Sequence, residues 1–254
     1  MLNIVYGRAA TGKTTLVLEK IRNTAENGKS VVYIVPEQFS FESERAVLSM
    51  LGDKIAGRVN VVSFSSLADI MTSLCGGSAR NVLSDADKIM FMSKTLKSLQ
   101  DSLPIWRKYI SSVGFASKIV DIIGEFKVSA VFPEELEKTA ELIDGSLKEK
   151  INALALVYRT YDALVGERFI DPADRLQKLF YDLQKNKYFL DKEVFIDGFN
   201  GFTGQQYKII DLICAQANSV CVALLYDKED KQGIFENTKA DISEAGVAFK
   251  NDLE

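Results

Sequence analysis

The sequence predicts an α/β protein, a parallel sheet with helices on both faces, interrupted by an all-helical insertion. Three observations predict it. Short β-branched runs alternate with helix-period segments at the start of the chain, residues 76–190 carry helical periodicity alone, and strand character returns at Glu193. The expected organisation is one α/β domain made of residues 1–75 and 191–254, with 76–190 as a helical subdomain.

The first strand and its turn organise the rest. Leu2 to Tyr6 is a short apolar run that reads as a buried strand, and Leu16, Val17 and Ile21 begin an amphipathic helix. Between them, Gly7-Arg8-Ala9-Ala10-Thr11-Gly12-Lys13-Thr14 fits G-x-x-x-x-G-K-[ST], with Thr15 following. Glycines in such a turn let successive N–H groups face a phosphate chain, and the helix adds its positive end. Lys13 would reach the β/γ-phosphates and the Thr14 hydroxyl would ligate Mg²⁺. A chance match in an ordinary strand–helix turn is the alternative. The flanking strand and helix are what a phosphate loop requires, so a nucleoside-triphosphate site is expected.

Composition narrows the chemistry. The 254 residues are 47% hydrophobic and 26% charged, ordinary for a globular protein. No apolar run approaches the ~20 residues that span a bilayer, and the N-terminus lacks the basic and small-residue features of a secretory signal. The three cysteines stand at unrelated spacings, with neither a disulfide framework nor a zinc pattern. A cytoplasmic protein without a membrane partner is expected. With no histidine in the chain, Ser–His–Asp catalysis, Cys–His catalysis and His-ligated metal sites are excluded. The net charge of −4 argues against a broadly basic nucleic-acid surface but leaves room for a locally lined groove.

The remaining elements follow in order. The first helix ends at Asn27-Gly28, Ser30–Val35 is a second strand, and Pro36-Glu37-Gln38-Phe39-Ser40-Phe41 leads into a helix through Arg45, Leu48 and Leu51. Val59–Ser63 is a third strand, and Phe64-Ser65-Ser66 leads into a helix carrying Leu67, Ile70, Met71 and Leu74. The insertion should hold helices at Ser84–Gln100, Gly114–Lys127, Pro133–Ile143, Leu147–Gly166 and Pro172–Lys185, without strands. Ser84, with Asp87 three residues on, and Asp171 are expected caps, and Pro133 and Pro172 suit a first helical turn. Ile151, Leu154, Val157, Tyr158 and Tyr161 read as helix-packing core, as do Trp106 and Tyr109. Two strands, Glu193–Asp197 and Ser219–Tyr226, flank a helix carrying Ile209 and Ile213. The polar tail after Asp227 reads as chain leading toward a further domain.

A buried strand ending in an aspartate, VFIDGF, is what a phosphate-loop protein needs to hold Mg²⁺. Asp197 would bind the metal through water at the strand's C-terminal edge. An ordinary strand ending in an Asp-Gly turn is the alternative. Gly198 stands where hydrolytic proteins of this architecture carry a water-orienting glutamate, so slow or absent hydrolysis is expected. In a small-molecule kinase, the rival reading, Glu37 would be the base. A non-catalytic scaffold is the third reading.

The element order resembles the first RecA-like domain of superfamily-one helicases of the UvrD/RecB type, whose helical insertion precedes the metal-binding strand. More narrowly, GRAATGKT, YIVPEQFSF, VVSFSSLA, EFK (Glu125–Lys127) and VFIDGFNGFTGQQ resemble the N-terminal part of the AddB (RexB) family, over essentially the whole chain. That resemblance implies a P-loop (RecA-like) domain from the B subunit of an AddAB helicase–nuclease, acting in DNA repair and recombination beside an AddA-type motor. It implies ATP and Mg²⁺ as ligands and single-stranded DNA as a partner. Gln38, Ser40, Phe64, Ser66, Phe199 and Phe202 would line the DNA track, by base-edge contacts and stacking. Packing between sheet and helices is an equally good reading of Phe39, Phe41 and Phe64. The family's nuclease and iron–sulfur cluster have no counterpart in this chain, whose three cysteines do not match the cluster. SFSSLAD lacks the arginine and tryptophan of some relatives, and Asp227 and Gln232 only loosely echo a GD-x-x-Q motif.

Overall fold

A computed structural model describes residues 2–76, 81–166 and 169–226. The tail from Asp227, including Gln232, lies outside the described residues. The chain divides into two compact units. The first holds the described residues up to Gly76, Leu179–Phe202 and those from Gln206 onward. The second holds those from Asn81 to Lys178 together with Thr203–Gln205.

The chain opens with β1 (Leu2–Gly7), α1 (Lys13–Glu26) and β2 (Ser30–Ile34). A 3₁₀ turn at Glu37–Phe39 precedes α2 (Ser40–Leu51), α3 (Asp53–Ala56), β3 (Val59–Val62) and α4 (Phe64–Leu74). Next come β4 (Asn81–Val82), α5 (Asp85–Ser98), α6 (Val113–Val128), α7 (Pro133–Glu141), α8 (Ser146–Gly166) and β5 (Phe169–Ile170). The last described elements are α9 (Arg175–Lys185), β6 (Lys192–Phe199), α10 (Gly204–Gln216) and β7 (Ser219–Leu225).

Five strands of the first unit form one parallel sheet in the order β1-β7-β6-β2-β3. The chain steps from β1 to β2 to β3 in one direction and from β6 to β7 in the other. Right-handed crossovers therefore put α1–α3 on one face and α10 on the opposite face. Strand alternation agrees. Val5, Val31, Tyr33, Val35, Phe195 and Ala223 pack with Val17, Ile21 and Val47 in one core. Val32, Ile34, Val194, Ile196, Val220 and Val222 are buried on the other face. The chain reverses direction between β2 and β6, and the C-terminal edge at such a switch is where ligands of open parallel sheets bind.

The second unit is helical, but not entirely. β4 and β5 form a two-residue parallel pairing, Asn81↔Phe169 and Val82↔Ile170, which corrects the expectation of no strand there. Ser84 caps α5, its Oγ accepting from the Asp87 N–H at 3.2 Å while the Asp87 carboxylate accepts from the Ser84 N–H at 3.0 Å. The expected helix from Pro172 is divided, a 3₁₀ turn at Pro172–Asp174 preceding α9, with Asp171 Oδ1 accepting from the Ala173 N–H. Trp106, Val157, Tyr158 and Tyr161 are core residues, with Ile151 and Leu154 packed against them. Tyr109, expected with them, is 56% exposed. Buried among these apolar groups is the Lys127 ammonium. Lys127 Nζ lies 2.8 Å from Asp162, 3.2 Å from Asp171 and 2.7 Å from Asp174, with the Tyr161 ring centroid at 5.6 Å. Burial pulls the Lys127 ammonium down, but Asp174, Asp162 and Asp171 together lift it above the ordinary lysine range. Among the described residues no helix is long and apolar enough to cross a membrane.

Candidate functional site

β1 ends at Gly7 because the chain must turn tightly there. A Cβ on Gly7 would come within 2.7 Å of Thr11 Oγ1, which itself donates to the Arg8 carbonyl at 2.9 Å. Ala10 (φ 61°) and Gly12 (φ 87°) both take the left-handed conformation, and the Gly12 carbonyl accepts the first bond of α1 from the Leu16 N–H. Residues Arg8, Ala9, Ala10, Thr11, Gly12, Thr14 and Thr15 are exposed. The Lys13 side chain folds back over the loop, its Nζ donating to the carbonyls of Gly7 at 2.8 Å and Arg8 at 2.6 Å. Partial burial holds its pKa below the usual lysine value, and the nearby Asp197 opposes that shift.

Thr14 and Asp197 line one cleft of about 390 Å³, together with Leu18, Tyr33, Val35, Phe39, Glu42, Ser43, Ala46 and Gly198. Asp197 sits at a bulge where β6 steps from Ile196↔Val222 to Phe199↔Leu224 against β7. The residue is buried, its Oδ1 accepting from the Gly198 N–H at 2.7 Å. Tyr33, a strand residue with no site role in the sequence pattern, donates its phenol to Asp197 Oδ2 at 3.5 Å. A hydroxyl and a carboxylate are the hard oxygen donors Mg²⁺ takes, the remainder coming from phosphate and water. The residues present therefore fit Mg²⁺ carried by a triphosphate. Among the described residues no group of three or more cysteine, aspartate or glutamate side chains is arranged to hold a metal.

Glu37 is exposed and does not line this cleft, whereas Glu42 does. The loops after β2, β3 and β6 meet beside it. A Cβ built at Gly198 would lie 3.7 Å from Phe39 Cδ2, and the Phe64 and Phe199 rings stand edge to face at 5.6 Å. Phe199 is 5.1 Å from Phe202, which is 5.7 Å from Tyr207. Phe199 and Phe202 are half-buried, and Phe39 and Phe41 are 43% and 74% exposed. Phe64 is only 4% exposed, so its ring supports the cluster rather than facing solvent. Ser66 closes a capping box with Ser63 at the start of α4, its N–H donating to Ser63 Oγ at 3.0 Å. Ser40 Oγ donates to the Glu37 carbonyl at 2.7 Å, and Gln38 is exposed.

The family model described as "ADDB, N-terminal" matches residues 4–244. Among curated relatives, the B subunit of the ATP-dependent helicase/deoxyribonuclease of Thermoanaerobacter sp. (strain X514) is 35% identical, over 94% of this chain and 21% of the relative. Its namesake from Caldanaerobacter subterraneus subsp. tengcongensis is 36% identical, over 94% of this chain and 21% of the relative. That of Clostridium perfringens (strain 13 / Type A) is 33% identical, over 98% and 23%. The chain thus spans about a fifth of the length of these relatives. With a family match that runs from the first strand past the last, this chain belongs to the ADDB N-terminal family.

Proposed function

We propose that this chain is the nucleotide-binding, helicase-like N-terminal region of the B subunit of an ATP-dependent DNA helicase–nuclease. It binds ATP through residues Gly7 to Thr15, and Thr14 and Asp197 would hold the Mg²⁺ that accompanies the nucleotide. Lys13 leaves the loop carbonyls for the phosphate chain, and its charge offsets that of the β/γ-phosphates. The bound metal would neutralise phosphate charge; Thr14 and Asp197 fix where it sits. The loops carrying Gln38, Ser40, Phe199 and Phe202, supported by Phe64 and Ser66, contribute to a single-stranded DNA track. The working assembly pairs this protein with an AddA-type motor in the cytoplasm. The chain itself hydrolyses ATP slowly or not at all.

The observation that carries this reading is the common cleft of Thr14 and Asp197, supplied by different elements 183 positions apart in sequence, at the switch point of the sheet. The kinase reading has less support, because Glu37 lies outside that cleft. Phosphate release with and without single-stranded DNA tests the proposal, beside a screen of small phosphoryl acceptors. Negligible turnover in every arm is expected, and transfer to a small acceptor would replace the helicase reading.

A further inference from the structure

The Tyr33 ring lies in an apolar core, 2% exposed, among Val5, Val17, Val31 and Val47. A phenylalanine would satisfy that packing, so the hydroxyl needs its own explanation. Buried phenols take hydrogen-bond partners, and this one reaches the carboxylate at the mouth of the candidate site. Tyr33 pairs with Phe195 across the β2–β6 ladder, two residues before Asp197, so its side chain spans the distance by leaning along the strand.

We propose that Tyr33 is a positioning residue that orients the Asp197 carboxylate for the divalent cation of a bound nucleotide. This rests on the nucleotide reading above and adds a residue to it. Asp197 Oδ1 accepts from the Gly198 N–H at 2.7 Å, and the Tyr33 hydroxyl approaches Oδ2 at 3.5 Å, so the two donors address opposite oxygens of the carboxylate. Each oxygen keeps a further lone pair for the cleft. Ser43, on α2, lines the cleft beside the phenol. A phenol is a hydrogen-bond donor at neutral pH, so the hydroxyl can hold the carboxylate throughout the working range. Groups that orient a metal-binding carboxylate commonly set metal affinity as strongly as a ligand's own surroundings do.

The test titrates Mg²⁺ at fixed ATP and reads the thermal shift of wild type, Tyr33→Phe and Ser43→Ala, each compared with its own melting point in EDTA. Tyr33→Phe is expected to need roughly tenfold more Mg²⁺ for half its shift. Ser43→Ala should move the requirement the same way by less. The shift that ATP gives in EDTA should be the same in all three proteins. An unchanged Mg²⁺ requirement in both variants overturns the inference while leaving the nucleotide site standing. So does an equal loss in the EDTA arm, which marks general damage to the pocket. If wild-type protein shows no ATP-dependent shift at any Mg²⁺ concentration, the nucleotide reading fails and this inference fails with it. Should Tyr33→Phe not fold, Ser43→Ala decides alone.

Discussion

Gly198 is pressed against Pro36. A Cβ built at Gly198 would stand 3.1 Å from Pro36 Cδ, and its φ of 83° is one that side chains rarely adopt. The glycine after Asp197 is therefore required by the bulge and by the loop that follows β2. Gly198→Ala should cost about 1–2 kcal/mol of stability, measured by denaturant unfolding. Gly198→Glu, which places a carboxylate where hydrolytic relatives of the fold carry one, should be destabilised at least as much. It should gain no ATPase activity, because the backbone that would aim the new side chain is displaced.

Lys127 should be the most costly polar residue of the helical unit to remove. Its side chain is fully buried, and Lys127→Met leaves three carboxylates without their shared cation. Breaking such a pairing from one side costs about 3–5 kcal/mol. The ammonium's own titration leaves this stability intact below the unfolded lysine pKa of 10.5 and removes it as pH rises through the higher folded value. The cost of Lys127→Met at pH 7 should shrink toward pH 4, as Asp162 and Asp174, whose carboxyls burial holds above the ordinary aspartate value, become protonated.

A separate pH dependence resides in Asp162. Burial pushes its carboxyl up to about 6 against the pull of Lys127, from 3.8 in the unfolded chain. Between those values the folded chain holds more protons than the unfolded one, so this group's contribution to stability falls as pH rises from 3.8 to about 6. Above that window it is constant. Asp162→Asn should flatten this part of the stability–pH profile, and an unaltered slope would assign it to other carboxylates.

The aromatic loops separate by exposure. Phe41, at 74% exposed, should be replaceable by alanine with little change in melting point. If it stacks on a base, Phe41→Ala weakens single-strand binding by about 1–3 kcal/mol. Phe199→Ala and Phe202→Ala should weaken binding too, with a stability cost from the lost ring contacts with Phe64 and Tyr207. Phe64→Ala should behave as a core truncation, losing about 3–5 kcal/mol. Affinity should fall steeply with salt, as phosphate contacts require. Binding that ignores all these changes would place the DNA elsewhere.

How far the sequence reveals this arrangement depends on the range of the signal. The Gly7–Thr14 turn and the Ser84–Asp87 cap are legible because all their partners lie within a few residues. The start of α4 at Phe64, three residues before Leu67, follows from the Ser63–Ser66 capping box, a weaker signal because serine replaces the usual glutamate. β4 and β5 escape notice because two residues have no periodicity to read. The Lys127 cluster joins groups 35 to 47 positions apart, and Tyr33 meets Asp197 164 positions away. No local pattern marks either pairing. Phe64 looks the same in sequence as Phe41, and only the packing of the sheet separates a core ring from an exposed one.

In the proposed function, the Gly7–Thr15 loop and Asp197 hold a metal-bound nucleoside triphosphate. Thermal unfolding of wild type and Lys13→Ala, each with and without Mg²⁺–ATP, tests it most directly. At a hundredfold excess over Kd the ligand should add about 2.7 kcal/mol to wild type, a rise of roughly 5–10 °C for a chain of this size. Lys13→Ala should lose most of that rise while its unliganded melting point stays close to wild type, because the lysine's hydrogen bonds run to carbonyls of its own loop. An equal rise in both proteins, or none in wild type, would rule out nucleotide binding at this loop.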